Sequence, residues 1–377
     1  MKIAILSLIL NTNYGGILQS YALQTILERM GHNVKVLDHE FVTDLPLRQL
    51  VKVLPKRFIN KYIFRNNITL YTPQYYQRKQ YRERSTHTRS FIFKNIHIRK
   101  CKSLKRLRNN EFDAIVVGSD QVWRPSYFIC WGDFLDSFLL FAKGWDIRRI
   151  SYAASFGTDK WMFNSSDTIK IRELIHLFDA VSVREMDGIN ICKDNLGIET
   201  TLVLDPTLLL SKTDYVKLIE SASSTADIPK SSLLNYILDD NKQKNKLVDN
   251  IAKEKKLITF RINESEDIRS NVKRQPVETW LKAFYNSDFI VTDSYHACVF
   301  SIIFEKPFIC FVNEQRGISR FRTLSSIFGL SRHFITHLDE YDSSFDYRPT
   351  PVIKKRIESL QTISINFLRK NLQDGHS

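Results

Sequence analysis

Apolar and polar positions along the chain follow two alternating patterns. Short, nearly continuous apolar runs recur at Lys2–Leu8, Val34–His39, Ala114–Gly118, Ile150–Ser155, Ala180–Arg184 and Thr201–Leu204. Between several of them lie stretches with apolar residues three and four apart. In Gly15–Met30, Leu23, Ile26, Leu27 and Met30 share one face, and Gly31 ends the run. Further helices are predicted near Asp167–Phe178 and from Asp187. Apolar runs separated by helices predict parallel strands covered on both faces.

The alternation restarts after Asp205-Pro206. Strands are predicted at Leu233–Leu238, Leu257–Ile262, Phe289–Thr292 and Phe308–Val312. Helices are predicted at Asn241–Lys255, Val277–Tyr285, Tyr295–Phe304 and Ser319–Phe328. The fold class is therefore α/β, with two doubly wound, Rossmann-like domains facing a cleft. The first covers residues 1–205 and the second 206–350. A C-terminal helix over 351–377 packs across both. The length of 377 residues suits two domains. Ligands of such sheets bind beyond the strand C-termini.

Composition changes this picture in one place. Leu45–Asn110 holds 18 Lys and Arg against one acid, Glu83, whereas the whole chain carries a net charge of +14. All the excess thus sits in a basic insertion at about 45–110, for which a polyanion is the expected partner. Within it, Leu47–Arg65 places Leu47, Leu50, Val51, Leu54 and Phe58 on one helical face among cations, with Pro55 as a kink. That pattern suits an anionic membrane surface or a lid over the cleft. No recognised nucleic-acid motif accompanies the charge, so nucleic acid is not expected. The five cysteines, at 101, 130, 192, 298 and 310, have an odd count and no C-x-x-C spacing, which suits a reducing compartment. The opening MKIAILSLIL lacks a small-residue cleavage site and reads as a buried strand rather than a leader. The expected location is cytoplasmic, with the inner membrane face as a peripheral station.

Candidate chemistry gathers at the strand ends. Asn11–Gln24 (NTNYGGILQSYALQ) puts Asn13, Tyr14, Gly15, Gly16 and Gln19 at the first strand–helix junction, where a ligand can approach backbone N–H groups closely. VVGSDQVWRP delivers Asp120 and Gln121, and Asp120 reads as a base, a hydroxyl binder or an N-cap. SVRE places Arg184 where a guanidinium could clamp a carboxylate or phosphate, or pair with Glu185. TDSYHACVF brings Asp293, Ser294 and His296 to a helix start, and a histidine there can move a proton near neutral pH. Arg316, Arg320 and Arg322 offer a second anion clamp or a solvated face. No metal-ligand spacing is present.

Taken in order, NYGGILQSYAL, VVGSDQVW, SYAASFG, SVRE, LDPTLLL and TDSYHACVFSIIFEKPFICF resemble the polysaccharide pyruvyl transferase family, in its capsule and exopolysaccharide branch. The resemblance implies a glycosyltransferase-B-like fold, phosphoenolpyruvate as co-substrate with no other cofactor, and a sugar or lipid-linked oligosaccharide acceptor that receives a cyclic pyruvate ketal. Arg184 resembles the family's donor-binding arginine, and His296 the histidine of its Arg-Leu-His tripeptide. Here the tripeptide is Ser294-Tyr295-His296, so one expected cation is missing and Arg320 or Arg322 would replace it. The expected roles follow: His296 as acid, Asp293 or Asp120 as base, and Arg184, Ser294, Arg320 and Arg322 on the donor. Asn13, Tyr14, Gly15, Gly16, Gln19 and Gln121 face the acceptor. Alternative readings are a nucleotide-sugar glycosyltransferase and a non-catalytic polysaccharide-assembly protein.

Overall fold

A computed structural model describes residues 1–38, 47–63, 73–128, 131–222, 226–262, 273–312 and 317–373. Seven parallel strands form the first sheet: β1 (Lys2–Leu6), β2 (Asn33–Asp38), β3 (Ile98–Lys100), β4 (Ala114–Val117), β5 (Arg148–Ala154), β6 (Ala180–Val183) and β7 (Thr201–Leu202). Their order is β3-β2-β1-β4-β5-β6-β7. The helices of this half are α1 (Tyr14–Arg29), α2 (Leu47–Tyr62), α3 (Pro73–Arg84), α4 (Thr86–Asn95), α5 (Pro125–Phe128), α6 (Ser165–Ile175) and α7 (Met186–Ile191).

Five more parallel strands form the second sheet: β8 (Ser232–Tyr236), β9 (Ile258–Phe260), β10 (Phe289–Thr292), β11 (Phe308–Phe311) and β12 (Phe334–Ile335), ordered β12-β11-β10-β8-β9. Around them lie α8 (Lys212–Glu220), α9 (Lys242–Lys255), α10 (Val277–Asn286), α11 (Tyr295–Ile303), α12 (Ile318–Phe328) and α13 (Pro351–Asn371). Every residue of β4, β10 and β11 is buried, as continuous apolar runs require when helices cover both faces. The α/β architecture is thus present in both halves.

The basic segment is woven into the first half rather than appended to it. β3 lies inside it and pairs Ile98 with Val36, while α4 buries Phe91 and Ile92 in the main core. Arg89 closes on the buried Asp38 at 2.8 Å. α8 was absent from the sequence pattern and joins the second half, its Tyr215 ring lying 4.9 Å from Phe300. α13 bridges both halves: Ser364 Oγ accepts from Leu204 N, and Arg356 donates to the Ile327 carbonyl. One apolar cluster runs from Ile17 and Leu23 of α1 to Trp280 and Phe300 of the second half.

Chain order reverses between β1 and β4 in the first sheet and between β8 and β10 in the second. A crevice opens at the strand C-termini at each reversal. The two crevices face one another, and the candidate residues lie there.

Candidate functional site

One wall of the cleft is the β1–α1 junction with the end of β4, and the other is the end of β8 with the β10–α11 junction. The space between them measures about 630 Å³. Tyr14 spans it: its hydroxyl donates to the Gln275 carbonyl at 2.9 Å, and its ring stacks on Trp280 at 5.4 Å. Asn13 caps α1 by accepting from Gly15 N. The His296 ring lies so close to Gly15 that a Cβ there would sit 2.1 Å from Nδ1. Glycine at 15 therefore lets the two halves meet at the histidine.

Behind this surface lies a buried charge cluster. Asp205 accepts from Gln19 Nε2 at 2.6 Å, Arg184 Nη1 at 2.9 Å and Thr207 Oγ1 at 2.7 Å, with His296 Nε2 3.7 Å away. Burial opposes the charge on Asp205, but the neighbouring His296, Arg184 and Thr207 hold its carboxyl far below the usual range. Burial likewise opposes the charge on Arg184, yet Tyr295, Asp205, Glu185 and Asp120 push its pKa up. The Tyr295 ring centre lies 5.0 Å from the Arg184 guanidinium and 5.1 Å from that of Arg320. Burial, with Asp205 next, raises the Tyr295 phenol. Burial and the charge of Arg184 lower Arg320.

The sequence-derived residues divide accordingly. Asn13, Tyr14, Gly15, Asp120, Gln121, Ser294, His296 and Arg320 line the cleft, as do Arg84 and Arg274, for which the sequence offered no motif. Arg274 is buried, and its backbone N–H donates to the Arg84 carbonyl at 3.2 Å. Gln19 and Gly16 line a smaller adjoining cavity. Asp120 takes a left-handed backbone, φ 71°, its carbonyl accepting from Val122 N and Ser155 N. That leaves its carboxylate at the cleft edge, with Oδ1 3.4 Å from Arg184 and 3.9 Å from Arg320.

Three of the expected residues sit differently from the rest. Arg184 is buried and pairs with Asp205 at 2.9 Å, its guanidinium 5.0 Å from the centre of the Tyr295 ring. Arg322 is exposed and pairs with Asp159 at 3.5 Å. Asp293 also lines the cleft. It is fully buried and accepts from Leu238 N, Asp239 N and Lys244 Nζ at 2.7–3.0 Å, which ties the β8–α9 turn to β10. Ser294 caps no helix N–H with its side chain and supplies no cation, as its residue type dictates. Arg316 and Cys130 lie outside the described residues. Asp205 belongs to the quoted LDPTLLL, but its partner Gln19 lies 186 positions away, and only folding joins them. Among the described residues, no three His, Cys, Asp or Glu side chains converge as a metal site would need.

Comparison with known proteins bears on the family. The chain is similar to the UDP-GlcNAc 2-epimerase of Methanocaldococcus jannaschii, with 14% identity over 96% of this chain and 100% of that one and a TM-score of 0.44. The corresponding values for the Neisseria meningitidis UDP-GlcNAc 2-epimerase are 12% identity, 99%, 99% and 0.49. For Arabidopsis thaliana UGT89C1 complexed with UDP-L-rhamnose they are 10% identity, 98%, 97% and 0.47. Among curated proteins none matches. The family model described as polysaccharide pyruvyl transferase matches residues 13–315, from the Asn13 cap of α1 through both walls of the cleft and beyond β11. The chain therefore belongs to the polysaccharide pyruvyl transferase family.

Proposed function

We propose that the protein moves pyruvate from phosphoenolpyruvate onto two hydroxyls of one sugar, forming a cyclic ketal. One observation carries this reading: Arg84, Arg274, Arg320 and His296 line a single cleft. A small donor bearing a carboxylate and a phosphate needs such cations, together with a proton donor for its methylene carbon. Arg274 and Arg320 supply the charge that Ser294 does not, which favours a catalytic reading over an assembly role.

In this scheme His296 protonates the donor's methylene carbon, with Asp205 beside Nε2 to support the imidazolium. The cationic charge developing at C2 is met by one sugar hydroxyl, whose proton passes to Asp120. The bond from C2 to the phosphate oxygen breaks, Arg320 and Arg274 stabilise the departing phosphate, and the second hydroxyl closes the ring. Two hydroxyl protons are lost; one is balanced by the new methyl hydrogen and the other leaves with phosphate. Mass spectrometry of lipid-linked saccharides incubated with phosphoenolpyruvate tests this. One ketal-bound pyruvate per phosphate released is expected; release of nucleoside diphosphate from a sugar nucleotide instead would favour the glycosyltransferase alternative.

We further propose that the acceptor is membrane-borne and that α2 meets the membrane. Val51, Phe58, Ile59 and Ile63 are 67%, 52%, 42% and 66% exposed, amid Lys56, Arg57 and Lys61. Among the described residues no helix is long and apolar enough to cross a bilayer, so contact would be interfacial. Each cation near an anionic surface contributes about 1 kcal/mol. Replacing Lys52, Lys56, Arg57 and Lys61 by Gln should abolish co-sedimentation with phosphatidylglycerol vesicles at low salt. Equal binding by both proteins would make α2 a lid or a solvated face.

A further inference from the structure

A second space opens at the far end of the second sheet. β8 and β10 run toward the cleft, which Tyr236 and Asp293 line at their C-terminal ends. Residues just ahead of the strands, Lys230 before β8, Asp288 before β10 and Pro307 before β11, line a groove of about 1360 Å³. Its other walls are the start of α8 and the first turns of α13, and it shares no lining residue with the cleft. Ligand pockets commonly occupy about 300–1,000 Å³, so the groove has room for a small organic ligand.

Its charges are unbalanced. Five cations line it, Lys212, Lys230, Lys306, Arg348 and Lys354, against three acids, Asp288, Glu305 and Glu358. Glu305 already pairs with Lys212 at 2.9 Å, and Asp288 accepts from Ser232 N at 3.1 Å. Lys306 is half-buried, and among the described residues no carboxylate pairs with its ammonium. Burial lowers its pKa, and the charges of Lys212 and Arg348 add to this against the pull of Asp288. The Lys212 and Lys306 ammoniums lie 6.0 and 5.9 Å from the centre of the Tyr285 ring, so like charges gather about one ring. Holding them there costs free energy that a bound anion would offset.

The side-chain types narrow the anion. Four of the five cations are lysines. Ammoniums meet phosphate oxygens as point charges from several directions, whereas a carboxylate is matched best by the planar fork of arginine. Ile303, Pro307, Pro349 and Ile357 add an apolar side for a group that carries the phosphates. We propose that this groove is a second ligand site, separate from the cleft, that takes an anion of the diphosphate type. The assignment does not rest on the pyruvyl-transfer reading.

Methyl NMR can locate such binding. Ile228, Ile303 and Ile357 line the groove and Leu8 and Leu238 the cleft, so isoleucine and leucine signals separate the two sites. Inorganic pyrophosphate and ADP are titrated into the wild type, Lys306→Gln and Arg348→Gln, and thermal melting verifies that each variant folds. Arg348 is exposed, so its variant decides the matter should Lys306→Gln melt early. In the wild type the groove isoleucines should shift and saturate. Each variant should weaken that response about ten-fold or more, the usual consequence of losing a hydrogen bond to a charged group. The cleft leucines should behave as in the wild type. Tighter binding of ADP would identify a nucleotide-borne diphosphate; equal or tighter binding of pyrophosphate would identify the diphosphate alone. The proposal is overturned if neither probe moves the groove isoleucines, or if the folded variants bind as the wild type does. A response of the cleft leucines alone would assign the anion to the arginine-lined cleft and make the groove a solvated face.

Discussion

The cleft and the small cavity beside it share part of their walls, yet their linings differ in charge. The cleft is lined by Arg84 from α3, Arg274 ahead of α10, Arg320 from α12 and His296 from α11, together with Asp120 and Asp293. The polar residues of the cavity lining are Asn11, Asn13, Gln19, Ser7, Ser20, Ser119 and Asp120, with no cationic residue among them. Asp120 belongs to both, with one oxygen toward the arginines and the other toward Gly16. Cationic side chains thus gather where helices of both halves meet, while the first sheet's reversal contributes neutral polar groups and one carboxylate. Under the proposed reaction, the cationic side suits the anionic donor.

The largest effect should come from the proton donor. His296→Gln should lower turnover about 10²–10⁴-fold, the usual share of a general acid, while the melting temperature stays close to that of the wild type. Near-normal turnover per folded molecule, measured by phosphate release, would make His296 a packing residue and leave the cleft without its acid.

Next in size is the buried cation that lines neither region. Arg184→Met leaves Asp205 and Glu185 without their guanidinium and should destabilise the protein by about 3–5 kcal/mol, read as a lowered denaturant midpoint. If stability is unchanged and only donor affinity falls, Arg184 belongs to the donor site after all, and the two-region division must be redrawn.

Much of this was legible in the sequence. The β1–α1, β4 and β10–α11 junctions all appeared as apolar runs ending in polar clusters, because buried parallel strands require such runs and ligand-binding loops follow them. What escaped had physical reasons. β3 offers only three residues, Ile98–Lys100, within a cation-rich stretch, and becomes a strand through its pairing with β2. The C-terminal end of a strand tells where Arg184 begins but not where its side chain ends, and Asp205 draws it inward. Asp293 reads as a base by position, and its three donors, from the β8–α9 turn and Lys244, are not visible there. Gln19 and Asp205, like Arg84 and Arg274, are distant in sequence and meet only in the fold.

Under the proposed reaction, the cleft holds phosphoenolpyruvate through Arg320 and its neighbours. Calorimetric titration of the wild type, Arg320→Lys and Arg322→Gln with phosphoenolpyruvate decides this. Lysine keeps the charge but loses the guanidinium fork, so Arg320→Lys should cost about 1.5–3 kcal/mol of donor affinity, about ten-fold or more. Arg322→Gln, exposed and paired with Asp159, should bind like the wild type. Equal affinity in all three proteins, or no donor binding by the wild type, would rule out a phosphoenolpyruvate site at Arg320.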